Sequence, residues 1–190
     1  FFDNSVLDSK YNKSGITALK NGEFVPYLQP KYELTHETIA GAEALVRWVS
    51  PEEGMIFPGE FIPLFEKNGF IVELDLYMFE QVCKMIESWH KNGYRIIPVS
   101  VNMSRGHFLV PNFFDRYKEI LERYDVPKGS IEIELTESLF LNEISTMTDL
   151  VNKIHEVGLR CSIDDFGSGY SSLNMLKDIK VDALKLDRVF

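Results

Sequence analysis

The sequence predicts an α/β fold in which parallel strands form a ring with helices outside it. Two observations predict it. From Ile96 onward, short β-type segments alternate with amphipathic helical segments, the mark of βαβ units. On several of those strands, apolar residues take one face and polar residues the other, which fits a sheet curled around a polar interior.

The elements follow in order. Residues 1–21 are polar and mixed, end at Asn21-Gly22, and are expected to be a linker or leader helix; the domain proper runs over 22–190. Phe24–Glu33 and Ile39–Val46 are expected strands. Pro58–Asn68 is an expected helix closed by Gly69. Ile71–Lys91 is a second, with Leu74, Met78, Val82, Met85 and Trp89 along one stripe and Gly93 past its end. Then come strand Ile96–Met103, helix Asn112–Tyr124, strand Ile131–Thr136, helix Glu143–Val157 stopped by Gly158, and strand Arg160–Asp165. A short helix near Ser171–Lys177 and strand Asp182–Asp187 complete the pattern. Trp48, Phe57, Phe61 and Phe65 are expected in the core or in a subunit contact.

Composition narrows the function. The chain has 190 residues, 45% hydrophobic and 26% charged, with a net charge of −9. That suits one globular core and lacks the basic footprint of a protein that binds long nucleic acid. A small phosphate ligand stays compatible, because divalent ions can supply positive charge locally. No run of 18 apolar residues is present, and the start lacks a secretory pattern. Cys83 and Cys161 are expected to be buried thiols. His36, His90, His107 and His155 show no ligand-like spacing.

Strand alternation picks out candidate site residues. With Ile131, Ile133 and Leu135 facing the helices, Glu132 and Glu134 point inward. The same alternation turns Ser100 and Asn102, Ser162 and Asp164, Lys185 and Asp187, and Glu43 inward. Glu43, Asn102, Glu134, Asp164 and Lys185 thus lie near the C-terminal ends of different strands, where (β/α) barrels keep their active sites. One lysine falls short of neutralising these carboxylates, which argues for bound cations over a closed ion-pair network. Hard oxygen donors suit Mg²⁺ or Mn²⁺, and adjacent Asp164 and Asp165 point to a two-ion site of the kind that hydrolyses phosphodiesters. Lys185 could steady the attacking water or the developing charge.

Several motifs carry a family resemblance. Glu43-Ala44-Leu45 continues as Val46-Arg47-Trp48, with Gln29-Pro30 upstream. Downstream come Val101-Asn102-Met103-Ser104, Glu134-Leu135-Thr136-Glu137, Asp164-Asp165-Phe166-Gly167-Ser168-Gly169-Tyr170 and Lys185-Leu186-Asp187. In order and spacing they resemble the EAL family of cyclic di-GMP phosphodiesterases. The resemblance implies a TIM-like (β/α) barrel and Mg²⁺- or Mn²⁺-dependent opening of cyclic di-GMP to the linear dinucleotide. It implies that Glu43, Asn102, Glu134 and Asp164 bind metal, with Asp165 on the second ion, and that Glu43, Asp165 and Lys185 serve catalysis, Lys185 holding the nucleophilic water. Arg47 would contact a substrate phosphate, Gln29 and Leu45 the nucleotide, and Glu137 would anchor the loop after Asp165. That loop, Phe166–Ser172, is expected to move when no ligand is bound.

The same resemblance implies a cytoplasmic domain, or the cytoplasmic part of a membrane-anchored parent. A homodimer and an upstream cyclase-like or sensor domain are expected with it. Two other classes stay open: a cyclic di-GMP receptor without catalysis, and a glycosidase, which would need only an acid–base carboxylate pair. A barrel of this type takes about 250 residues and eight strands. The sequence supplies about six, so the barrel is expected to lack its last strands and, alone, to hydrolyse the dinucleotide poorly.

Overall fold

The structure is a computed structural model that describes residues 15–141, 144–167 and 179–187. Most of the leader, the segment Ser171–Lys177 and the loop beyond Gly167 lie outside the described residues. A helical segment, α1, covers residues 15–20. It is followed by β1 (Phe24–Glu33), β2 (Thr38–Ser50), β3 (Gly54–Ile56), α2 (Pro58–Asn68), α3 (Ile71–Lys91), β4 (Val99–Met103), a 3₁₀ turn (Arg105–Leu109) and α4 (Phe114–Leu121). Then come β5 (Ile131–Thr136), a second 3₁₀ turn (Glu137–Leu141), α5 (Ile144–Glu156), β6 (Arg160–Phe166) and β7 (Ala183–Leu186).

All strands belong to one sheet in the order β1-β2-β4-β5-β6-β7, with β3 paired on β2. Among the described residues β1 and β7 are its two free edges, so the barrel is open, with six strands on its path. β1 and β3 run antiparallel to β2, and the remaining pairings are parallel. The antiparallel start and β3 are additions to the expected pattern. β3 is three residues long, too short to show alternation.

Element bounds depart from expectation where a local constraint intervenes. Asn112 has φ 54° and cannot open a right-handed helix, so α4 begins at Phe114. The strand expected from Ile96 starts at Val99, because Pro98 has no N–H to give, although its carbonyl accepts from Ala42 N–H at 2.9 Å.

The core lies between the outer face of the sheet and the helices. Val99, Val101 and Met103 of β4, Ile131, Ile133 and Leu135 of β5, and Cys161 and Ile163 of β6 are buried in one cluster with Leu74, Met78, Phe79, Val82 and Ile86 of α3 and Val151 and Ile154 of α5. Met85 and Trp89 are only partly buried. Both cysteines are buried, and that burial pushes their thiols up to about 12. Phe24, Trp48, Phe61, Phe65 and Phe70 form an aromatic group with ring centroids between 4.8 and 6.1 Å apart. Ala18 of α1 is buried in the same core, whereas Phe57 is exposed. On β7, Leu184 and Leu186 lie opposite Lys185 and would face the helices by the same alternation, yet they are 39% and 59% exposed.

Gly41 sits where β2 passes close to Pro98, just before β4. A Cβ there would stand 2.8 Å from the Pro98 carbonyl oxygen. Gly41→Ala is therefore expected to push β2 and β4 apart and to destabilise the protein by about 1–3 kcal/mol. Urea unfolding checks this, and an unchanged midpoint would mean the backbone absorbs the methyl group.

Candidate active site

The strand register builds the site. Glu43 is level with Ser100, Asn102 with Glu134, and Thr136 with Asp164. Each later strand is stepped along its neighbour, as the tilt of a barrel requires, and this stagger brings the side chains together. Asn102 Nδ2 donates to Glu43 Oε1 at 3.1 Å. Lys185 Nζ donates to Glu43 Oε2 at 2.8 Å and to Glu134 Oε2 at 2.5 Å, and lies 3.6 Å from Asp164 Oδ2.

A second cation joins them. Lys31 Nζ donates to Glu134 Oε1 at 2.8 Å and to Ser100 Oγ at 2.7 Å, and lies 3.4 Å from Glu132 Oε1. Glu132 also accepts from Ser162 Oγ at 3.0 Å. The inward charges are thus better balanced than a count of one lysine implied. Burial works to raise the Glu134 pKa. Hydrogen bonds from Lys185 and Lys31, the larger lowering causes, outweigh it and hold the carboxyl below the usual range. Burial likewise disfavours the Lys185 charge, yet its bonds to Glu134 and Glu43 hold it well above the usual lysine range.

Glu43, Leu45 and Arg47 share one face of β2, with Ala42, Ala44, Val46 and Trp48 on the other. On β1, Gln29 is the register partner of Glu43, and Tyr27 that of Leu45. Gln29 is exposed. Arg47 donates to the Val46 carbonyl at 2.8 Å, and its guanidinium lies 5.8 Å from the centre of the Tyr27 ring. The antiparallel pairing therefore places Tyr27 beside Leu45 and Arg47, a neighbour that the motifs alone did not single out.

Beyond Asp164 the pairing of β6 with β7 shifts register, and Asp165 takes φ 55°. Asp165 is exposed, and its N–H donates to Asp164 Oδ1 at 3.0 Å. Glu137 is buried, and its Oε2 accepts from Gly167 N–H at 2.7 Å.

A cavity of about 270 Å³ opens beside Asn102, lined by Leu45, Ile62, Met78, Asp75 and Ser104 among others. Asp75 Oδ2 accepts from Ser104 N–H at 2.8 Å and lies 3.1 Å from His107 Nε2, which lies 3.1 Å from the Tyr117 oxygen. This largely buried network ties α3 to the chain just past Asn102, and no local pattern in the sequence signals it. The Ser104 hydroxyl is buried and has no hydrogen-bond partner among the described residues.

Among the described residues no three His, Cys, Asp or Glu side chains already hold the spacing of a metal cage. The donor set nevertheless fits a hard divalent cation. Glu43, Glu134 and Asp164 gather around one point of positive charge, the Lys185 ammonium, with Asn102 alongside. No described helix is long and apolar enough to cross a membrane.

Comparisons with known proteins agree with the motifs. The EAL domain family matches residues 16–190. The probable cyclic di-GMP phosphodiesterase PdeG of Escherichia coli K12 is 34% identical over 191 residues, covering 97% of this chain and 38% of PdeG. The bifunctional diguanylate cyclase/cyclic di-GMP phosphodiesterase MucR of Pseudomonas aeruginosa PAO1 is 34% identical over 173 residues, covering 91% of this chain and 25% of MucR. The chain thus spans well under half the length of either relative. Among solved structures, the MucR phosphodiesterase in complex with c-di-GMP superposes with a TM-score of 0.87 at 32% identity, covering 95% of this chain and 73% of that one. The family match over nearly the whole chain, with its motifs on adjacent strands of an open (β/α) barrel, establishes that this chain belongs to the EAL domain family.

Proposed function

We propose that this domain hydrolyses one phosphodiester bond of cyclic di-GMP, giving the linear dinucleotide, with two divalent ions. The observation that carries the proposal is the convergence of Glu43, Asn102, Glu134, Asp164 and Lys185 from five strands. The phosphodiesterase names of PdeG and MucR, and the ligand of the MucR complex, support the substrate.

Glu43, Asn102, Glu134 and Asp164 would hold one Mg²⁺ or Mn²⁺, and Asp165 would hold the second. When bound, the ions supply Lewis acidity at the scissile phosphate and make water a nucleophile at neutral pH. Lys185 directs its ammonium hydrogens at the attacking water. Arg47 offers a guanidinium fork to the phosphate oxygens. Gln29, Leu45 and the neighbouring cavity take the nucleoside. Both described bonds to Asp75 end on Oδ2, so Oδ1 can accept from a base with adjacent N–H donors, as guanine has. A homodimer, a cytoplasmic setting and an upstream cyclase-like or sensor domain belong to the same proposal. So do further strands docked on the free edge of β7.

The test is to incubate the protein with cyclic di-GMP in Mg²⁺, in Mn²⁺ or in EDTA, and to resolve the products by chromatography. The linear dinucleotide should form only with metal, and faster from a longer chain that covers the β7 edge. Metal-independent binding without product from either chain would favour the receptor. Sugar hydrolysis in EDTA would favour the glycosidase.

Glu137 anchors the loop through Gly167 and, in this reading, touches no ion. Glu137→Ala should lower kcat about 10-fold or more while leaving Mn²⁺ affinity near the parent value. Equal loss of both, read by calorimetry beside kinetics, would place Glu137 on a metal.

A further inference from the structure

The lysine on β1 has no part in the family motifs, yet it reaches the centre of the site. Lys31 is the register partner of Gly41, the one position on that face of β2 with no side chain to block its path. A register shift follows at once, between Lys31 and Tyr32. The curled sheet shortens the distance across its interior, so the long stem passes β2 and places its ammonium on Ser100 of β4 and Glu134 of β5.

The Glu134 carboxylate is then held at both oxygens. Lys31 takes Oε1 and Lys185 takes Oε2. The Glu134 side chain is fully buried, so in this packing its oxygens depend on protein donors. Holding Oε1 fixes the rotation of the carboxylate and turns Oε2 toward Glu43, Asp164 and Lys185. The Ser100 hydroxyl, which itself donates to the Ala42 carbonyl at 3.3 Å, fixes the ammonium in turn.

We infer that Lys31 is a positioning residue for Glu134, acting on metal affinity and turnover through that carboxylate without touching substrate. The inference rests on the reading of Glu134 as a metal ligand. Two opposed effects are at stake. Removing a nearby positive charge would strengthen the attraction for a cation; losing the fixed orientation would weaken it. Partners that orient metal ligands are worth about 10- to 100-fold in affinity. The Lys31 side chain is 34% exposed and sits on the oxygen away from Lys185, so water screens its charge and orientation is taken as the larger effect.

The test is calorimetric titration of the metal-free full chain with Mn²⁺, for the parent, Lys31→Met and Lys31→Arg, together with kcat and KM for cyclic di-GMP. Lys31→Met should bind Mn²⁺ about 10-fold more weakly or worse and lose kcat with KM unchanged, and Lys31→Arg should recover part of both. Should Lys31→Met fail to fold, Ser100→Ala removes the hydroxyl that fixes the ammonium and should weaken Mn²⁺ binding in the same direction. A parent that binds Mn²⁺ and a variant that binds it equally or more tightly would overturn the role of Lys31 alone. A parent that binds no Mn²⁺ would overturn the metal reading and the Lys31 inference together.

Discussion

Glu134→Gln is expected to abolish metal-dependent turnover, by about 10³-fold, and to destabilise the metal-free protein by about 3 kcal/mol. The carboxylate is buried and accepts from an ammonium at each oxygen. A glutamine keeps one acceptor and replaces the other with an NH₂ donor, so one lysine is left facing a donor. Breaking a buried pair by removing one partner typically costs about 3–5 kcal/mol. The lower end applies, because the Lys31 and Lys185 side chains are 34% and 26% exposed and can turn to water. Thermal or urea unfolding in EDTA measures the stability loss, and chromatography of the product measures the activity. A variant as stable as the parent would mean the two lysines do not depend on the Glu134 charge.

Lys185→Met should lower kcat by about 10²- to 10³-fold and make folding stability depend more strongly on divalent metal. In the metal-free protein its ammonium is shared by Glu43 and Glu134, with Asp164 at 3.6 Å. Without it these carboxylates repel one another and the apoprotein loses stability. An added ion restores the missing charge and no longer competes with the lysine. Binding to the folded state alone stabilises by about 2.7 kcal/mol at a hundred times Kd. The rise in Tm on adding Mn²⁺ should therefore be larger for the variant than for the parent. Equal increments would show that the lysine and the ion do not compete for the same carboxylates.

The inward set was legible because a strand repeats every two residues. Once Ile131, Ile133 and Leu135 face the helices, Glu132 and Glu134 must face the lumen, and both are buried there beside lysines. Helices α2 and α3 were legible from their apolar stripes and from Gly69 at a left-handed C-cap with φ 81°. What escaped depends on contacts between distant parts of the chain. Lys31 meets Glu134 across 103 positions, and only the antiparallel direction of β1 and its register reveal that it points inward. The Asp75–His107–Tyr117 network is hidden for the same reason, since its members lie on three separate elements. Alternation turns Leu184 and Leu186 outward, but it reports only a face, and cover for that face comes from other elements.

The left-handed backbone at Asp165 decides which changes that position tolerates. With φ 55°, it occupies a region that asparagine and aspartate enter readily, whereas β-branched side chains meet steric opposition there. Replacement by asparagine exchanges a carboxylate for an amide and leaves the loop geometry as it is. If Asp165 holds the second ion as proposed, asparagine there would remove a metal-binding charge at little backbone cost, so loss of turnover at that position need not come with loss of the fold.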